Sequence, residues 1–329
     1  MSDRWVVTTT TTTRPYDPRM TSSVPVLFVD SAFPDKFRDL VDGRATLVGP
    51  DDTDLPTADA VLAGMRRWDA ASMAKGSHLR VISRIGVGYD TVDVAAATAA
   101  GITVCYAPHA PTVSTAEHTV ALMMAITKDL AGSQARAREG HTGGAATTLE
   151  LDGRVLGLLG FGRIARRVAS VGAALGMTVI AHDPFLATGP SVDWAPATPV
   201  SFEELWRGSD VVSLHAPGTG ATRHVVNTET LAMMRTGSFL VNCARGSLVD
   251  QDALLHALHG GRLAGAGLDV TEPEPLPVDH PLLRHPRVMV TPHVASGTAA
   301  GRRRLYAHAI ENALATLAGT PTSVVPEQT

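Results

Sequence analysis

Short apolar runs recur along the chain, separated by stretches with helical spacing of apolar positions. In the first third they are Val26-Leu27-Phe28-Val29-Asp30, Ala45 to Val48, Ala60 to Ala63, Leu79 to Ser83 and Ile102 to Tyr106. Further on they are Val155 to Leu159, Met177 to Ala181, Asp210 to His215, Phe239 to Cys243, Leu263 to Leu268 and Val288 to Thr291. Runs this short, bounded by turn residues, read as strands buried on both faces, and strands alternating with helices imply parallel sheets. Between them the pattern predicts a helix from Val92 to Ala100 closed by Gly101, and one long amphipathic helix over 112–130 with a polar start at Thr115-Ala116-Glu117. Another should run from the glycines at 160–162 to about Leu175. A short helix is N-capped by Ser201, and a last one, Ser296 to Ala318, should pack back on the first sheet. The class is α/β.

One stretch, 153–183, organises the rest. A strand candidate leads into Gly160-Phe161-Gly162-Arg163-Ile164-Ala165, then a helix, a second strand and Asp183. Strand, glycine turn, helix, strand and acid in that order form the dinucleotide-binding βαβ fingerprint in its G-x-G-x-x-A form. Gly160 permits the tight turn, Gly162 lets backbone approach a pyrophosphate, and Ala165 keeps the helix close to the sheet. Unpaired N–H groups and the dipole at the helix start attract phosphate. Asp183, about twenty residues beyond Gly162, can accept from a ribose 2′-OH and would repel a 2′-phosphate, so NAD is expected over NADP.

Polar residues gather just past the other predicted strands. Arg84-Ile85-Gly86-Val87-Gly88-Tyr89-Asp90 is a glycine loop whose N–H groups can hold a carboxylate, or a plain β–α turn. Arg245, Glu274 and His293 follow later strands. An arginine fork can grip a carboxylate, a histidine trades protons near neutral pH, and a carboxylate on its other nitrogen orients the ring. Taken singly, each has a plainer explanation: a surface ion pair, one acid of a proline-rich loop, a satisfied core histidine.

Composition narrows the partners. At 329 residues, 44% hydrophobic and 18% charged, the chain has length for two cores. A net charge of −4 gives no electrostatic case for nucleic acid or anionic membrane. Two cysteines, Cys105 and Cys243, make no disulfide framework and suit a reducing cytoplasm, and no apolar stretch suggests a membrane span or signal peptide. Residues 1–24, with six threonines at Thr8 to Thr13, are expected to be a mobile tail, or else an extended start or a strand-forming arm.

The segments GVGYDTVD (86–93), STAEHTVALMMA (114–125), LGLLGFGRIARRVA (156–169), SLHAPGTGATRHVVN (213–227), VNCARGSLVDQDAL (241–254), GAGLDVTEPEPLP (265–277) and VTPHVAS (290–296) stand in one order. Together they resemble the D-isomer-specific 2-hydroxyacid dehydrogenases. The resemblance implies two Rossmann-like domains, an NAD-binding domain (115–296) inserted into a flavodoxin-like substrate domain (25–114 plus 297–329). It implies Arg245 as ligand of the substrate carboxylate and carbonyl, His293 as acid/base and Glu274, rather than the competing Glu272, as its partner. Cofactor contacts would come from Gly160, Gly162, Arg163, Ile164, Asp183, His215, Ala216, Pro217, Thr222, Cys243, Ala244 and Asp269. Substrate would meet Val87 and Gly88. The resemblance also implies a homodimer acting on a 2-oxoacid or 2-hydroxyacid, and no metal is expected.

Departures from the family pattern limit the substrate. The chain is expected to lack the regulatory domain of long phosphoglycerate dehydrogenases. His141, Gly143 and Gly144 stand where many relatives carry tryptophan. Arg66 or Arg67 is either a site for a second anionic group or a solvated pair at a helix start. Phosphite dehydrogenases carry lysine where Val87 stands, and formate dehydrogenases glutamine where Glu274 stands. NAD-binding corepressors share the fold and keep the triad.

Overall fold

A computed structural model describes residues 24–143, 148–186 and 193–329. The Thr-rich start and residues 144–147 of the loop at 139–148 lie outside the described residues. The chain forms two compact units, one up to Ala110 together with Arg303–Thr329, the other Pro111–Arg302.

The first unit holds a parallel sheet of β1 (Val26–Val29), β2 (Thr46–Val48), β3 (Ala60–Ala63), β4 (Val81–Arg84) and β5 (Thr103–Cys105), in the order β2-β1-β3-β4-β5. That is the flavodoxin-like order. In register, Phe28 lies beside Val61, Val61 beside Ile82 and Ile82 beside Val104, and this row packs with Leu55, Trp68 and Met73. Alternate residues Leu27, Val29, Leu62, Val81 and Cys105 face Ala309, Ile310 and Ala313 of the helix Ala299–Leu317. Two-sided burial explains why the strands read as unbroken apolar runs. The C-terminal segment, which gave no sequence signal, adds a bridge from Val324 to Cys105 and buries Val325.

The second unit holds β6 (Val155–Leu159), β7 (Thr178–His182), β8 (Thr198–Pro199), β9 (Val211–Leu214), β10 (Ser238–Asn242), β11 (Leu263–Leu268) and β12 (Val288–Val290). Their order is β12-β11-β10-β9-β6-β7-β8, all parallel, a doubly wound Rossmann sheet. Leu156, Leu158, Val179, Val211 and Val241 pack against Leu122 and Met123 of one helix and Val168 and Ala169 of another. On the opposite face Val212, Leu214, Leu240 and Leu268 meet Leu205, Trp206, Leu254 and Leu258. Each such side chain contributes about 1.5–3 kcal/mol on burial. Ser201 caps Phe202–Gly208 in a reciprocal box with Glu204, as its spacing predicts.

The single helix expected over 112–130 is two. One runs Thr112–Thr127, three residues ahead of the expected polar start, and a second runs Leu130–Arg138. Asp129 between them has φ 46°, a left-handed conformation that aspartate tolerates, and its carboxylate pairs with Arg136 at 2.9 Å. Gly132 makes room for that carboxylate, since a Cβ there would lie 2.4 Å from Oδ1. Among the described residues no helix is long and apolar enough to cross a membrane.

Candidate active site

The glycine turn follows β6. Gly160 has φ 88°, and a Cβ on it would lie 2.9 Å from the backbone carbonyl of His215, so the turn and the chain after β9 touch as bare backbone. Gly162 is exposed and extended, with open space where its side chain would project, and N-caps the helix Arg163–Ala174. The first-turn amides of that helix have no intrahelical acceptor. Ala165 is fully buried, Ile164 half-buried and Arg163 exposed. Asp183, one residue past β7, accepts from Phe161 N at 2.8 Å through Oδ2 and from Phe185 N at 2.9 Å through Oδ1. An uncluttered helix start, a glycine without Cβ and a carboxylate at the neighbouring strand end together suit a dinucleotide.

The sequence did not reveal how this turn is held. The buried Phe161 ring stacks on Trp194 at 5.1 Å, and the Arg166 guanidinium sits 4.5 Å from its centroid while donating to Asp193 O. Only the aromatic inside the glycine motif hinted at it.

Past β9, His215 donates its N–H to Leu159 O at 2.7 Å and its ring Nε2 meets Ser213 Oγ at 3.0 Å. Burial pushes its pKa down to about 4, so the ring is neutral at physiological pH. Ala216 and Pro217 follow. The Thr222 hydroxyl donates to Pro217 O at 2.6 Å and accepts from Thr219 N at 2.9 Å, closing the loop on itself.

Past β10, the buried Asn242 accepts from Ala244 N at 3.0 Å and donates to Arg245 O at 2.8 Å. Arg245 is extended, half-buried, and its Nη1 donates to Ala244 O at 2.7 Å. Burial pushes the Cys243 thiol up to about 12, with the Asp269 charge adding and a Thr119 hydrogen bond opposing, so it is an inert thiol.

Past β11 and β12 the structure brings Glu274 and His293 together: Nδ1 lies 2.6 Å from Oε1, each side chain about one-third exposed (33%). Glu272 turns elsewhere, to Arg223 at 2.8 Å, which lowers its pKa below the usual carboxylate range. His293 has φ 53°, a left-handed conformation uncommon outside glycine. Its N–H holds that shape by donating to Asp269 O at 2.8 Å and Thr291 O at 3.0 Å. The side chain of Asp269 is fully buried, with Oδ1 accepting from Thr291 Oγ1 at 2.6 Å and Val294 N at 2.9 Å, and Oδ2 from Ala295 N at 2.8 Å. His118 Nε2 reaches the same cluster, 3.0 Å from Thr291 Oγ1.

In the first unit, the loop after β4 exposes Val87 (38%) and folds over a buried arginine. Arg84 donates from Nε to Gly88 O at 2.8 Å and from Nη1 to Ala63 O at 2.6 Å. Asp30, its carboxyl pKa raised by burial, accepts from Gly64 N at 2.7 Å and Trp68 Nε1 at 3.2 Å. Arg66, in a loop rather than a helix start, pairs with Asp52 at 2.5 Å and lies over the Trp68 ring at 4.9 Å.

Comparison with known proteins places this arrangement. The D-3-phosphoglycerate dehydrogenase of Bacillus subtilis (strain 168) is 39% identical over 249 residues, 75% of this chain and 47% of that one. The chain spans about half the length of the curated phosphoglycerate dehydrogenases it matches. The hydroxypyruvate reductase of Thermotoga maritima is 37% identical, covering 78% of this chain and 84% of its own. The crystal structure of TT0316 protein from Thermus thermophilus superposes with TM-score 0.82 at 37% identity, over 91% of this chain and 99% of that one. Residues 120–295 match the model of the D-isomer specific 2-hydroxyacid dehydrogenase, NAD binding domain. Sequence, sheet order and glycine turn thus agree, and the chain belongs to the D-isomer specific 2-hydroxyacid dehydrogenase family.

Proposed function

We propose that the protein is an NAD-dependent oxidoreductase that interconverts a 2-oxoacid and the D-2-hydroxyacid. The observation that carries this is the 2.6 Å contact of His293 Nδ1 with Glu274, past the end of β12 in the sheet that carries the glycine turn. Bound NADH supplies the hydride to the 2-carbon of the substrate. With Nδ1 engaged by Glu274, Nε2 of His293 is the atom left to give a proton to the carbonyl oxygen. In the oxidative direction the same nitrogen takes it back. Arg245 grips the substrate carboxylate and stabilises charge developing on the carbonyl oxygen. Backbone N–H groups of Val87 and Gly88 are also proposed as substrate-binding donors. The helix start at Gly162, with Gly160, Arg163 and Ile164, takes the pyrophosphate, and Asp183 takes the adenosine ribose hydroxyls. His215, Ala216, Pro217 and Thr222 line the adenine side, with Cys243, Ala244 and Asp269 towards the nicotinamide.

We assign Arg66 no substrate role, because Asp52 already neutralises it. A homodimer is proposed, with the helix Thr112–Thr127 and the segment before Gly153 near its interface, and light scattering of the purified protein checks it. Free thiols at Cys105 and Cys243 suit a cytoplasmic setting.

The test is loss of NADH absorbance with glyoxylate, hydroxypyruvate, pyruvate, phenylpyruvate, oxaloacetate and phosphonopyruvate, repeated with NADPH. Turnover of at least one acid, with NADH preferred, is expected. Silence across the panel with tight NADH binding would replace the enzyme by a cofactor-sensing protein, and equal use of NADPH would refute the role of Asp183.

A further inference from the structure

We infer that His118 is a positioning residue for the His293 loop, an inference that rests on the acid/base role proposed for His293. His118 stands on the helix Thr112–Thr127, by which the chain enters the second unit. The loop carrying His293 runs from Thr291 to the helix Ala299–Leu317, by which the chain leaves it. Two residues one helical turn apart join these segments. Ser114 Oγ lies 2.7 Å from Thr298 Oγ1, and His118 Nε2 lies 3.0 Å from Thr291 Oγ1 and 3.3 Å from Asp269 Oδ1. Positions i and i+4 share one helix face, so that face clamps the outgoing segment at two points on either side of His293.

Hydrogen bookkeeping fixes the direction of the second clamp. The Thr291 hydroxyl has one hydrogen, and Asp269 Oδ1 at 2.6 Å receives it. Its oxygen can therefore only accept from His118, which must carry a proton on Nε2. The ring stands beside the buried Asp269 carboxylate, 3.3 Å from Oδ1, with its hydrogen bond directed to Thr291. The buried carboxylate accepts from Thr291, Val294 and Ala295, and His118 reaches it through the Thr291 hydroxyl. The loop this carboxylate organises holds His293 in a left-handed conformation that local sequence does not favour, so the orientation of the Thr291 hydroxyl matters to it. Without the imidazole, the Thr291 oxygen loses its donor and the loop loses its tie to the helix. His293 then drifts from the place where its proton is useful, and misplacement by about 1 Å costs roughly a hundredfold in rate.

The test compares His118→Leu, His118→Gln and Thr291→Val with the full chain. Readouts are kcat with the best 2-oxoacid, NADH affinity by fluorescence, and hydrogen exchange of the 291–296 amides. His118→Leu should lower kcat about ten- to a hundredfold, leave NADH affinity within about twofold, and speed exchange in that loop. His118→Gln, which keeps an N–H donor at similar reach, should restore most of both. Thr291→Val attacks the same contact from the other side, and its effect should not add to that of His118→Leu. Unchanged exchange and kcat in His118→Leu overturn the inference, as does a glutamine variant no better than leucine. Should His118→Leu fail to fold, Thr291→Val decides, and normal exchange and kcat in that variant overturn the inference. If the wild type reduces no 2-oxoacid, the functional reading falls while the exchange arm still decides the clamp.

Discussion

Both units end their parallel strands in polar loops, yet the two carboxyl edges are built in opposite senses. In the second unit reactive side chains stand partly exposed, Glu274 and His293 among them, and buried polar groups behind them hold the loops: Asn242 under Arg245, Asp269 under His293. In the first unit several charged groups are turned inward or paired. Arg84 and Asp30 tie backbone together, Arg66 is paired with Asp52, and the exposed loop offers Val87 and backbone. Proton transfer needs groups that change charge, whereas recognition of a carboxylate needs only fixed donors. On that division the groups suited to proton transfer lie in the second unit, while the first-unit edge exposes the apolar Val87 in a backbone loop.

The largest test of this division is His293→Ala. Turnover should fall about a thousandfold, the usual size of a lost acid/base group, with NADH affinity within about twofold, measured by steady-state rates and fluorescence titration. Equal loss of both would mean the ring shapes the cofactor site. Next comes a pair of neighbouring acids. Glu274→Gln should cost about ten- to a hundredfold in kcat, because the ring loses its orienting charge at 2.6 Å. Glu272→Gln should change kcat less than about twofold, since that carboxylate is spent on Arg223. If the two variants behave alike, the assignment of the acid is wrong.

These features were unequally legible in the sequence. Strands buried on both faces read as apolar runs, and the glycine turn with Asp183 reads as a motif because backbone geometry dictates its residues. The break at Asp129 was not legible, because helix periodicity continues through it and the turn depends on a left-handed aspartate whose carboxylate pairs with Arg136 two turns on. β8 has two residues and depends on its neighbour for definition. Glu274 and His293 stood out as chemistry-bearing types, but their supports did not. His118 looks like any polar residue of a helix, Asn242 like the end of a strand, and Arg84 like the end of a buried run. His118 acts through Thr291, 173 residues away, and Arg84 partly through Ala63, 21 away, while Asn242 works through a local turn whose geometry no periodicity announces.

Three smaller effects sharpen the comparison. Arg84→Met should destabilise the fold by about 2–4 kcal/mol in urea titration, because the carbonyls of Ala63 and Gly88 lose a buried donor. Unchanged stability would mean that backbone alone holds the first edge. His215 should make the second unit acid-sensitive. With its pKa pushed down to about 4 from an ordinary 6.5, the unfolded chain binds a proton that the folded chain refuses. Its contribution is therefore a loss of stability as pH falls from about 6.5 to about 4, on the order of 3 kcal/mol. Urea titrations at pH 7 and 4.5 should show a smaller drop in His215→Asn than in the wild type.

The smallest expected effect decides whether the first edge holds any charge for substrate. Arg66 donates to Asp52 at 2.5 Å, and this bond, with a second from Lys75, pulls the Asp52 pKa down to about 2. The aspartate is thus ionised at every working pH and the guanidinium has its counter-charge beside it, with the Trp68 ring beneath at 4.9 Å. An arginine so engaged would have to break an ion pair to greet a second anionic group on a substrate. Arg66→Ala should accordingly change KM by less than about twofold for both glyoxylate and phosphonopyruvate, in line with the small worth of an exposed pair. A rise of tenfold or more confined to phosphonopyruvate would show that the arginine leaves Asp52 for substrate, and the first edge would then contribute charge as well as backbone.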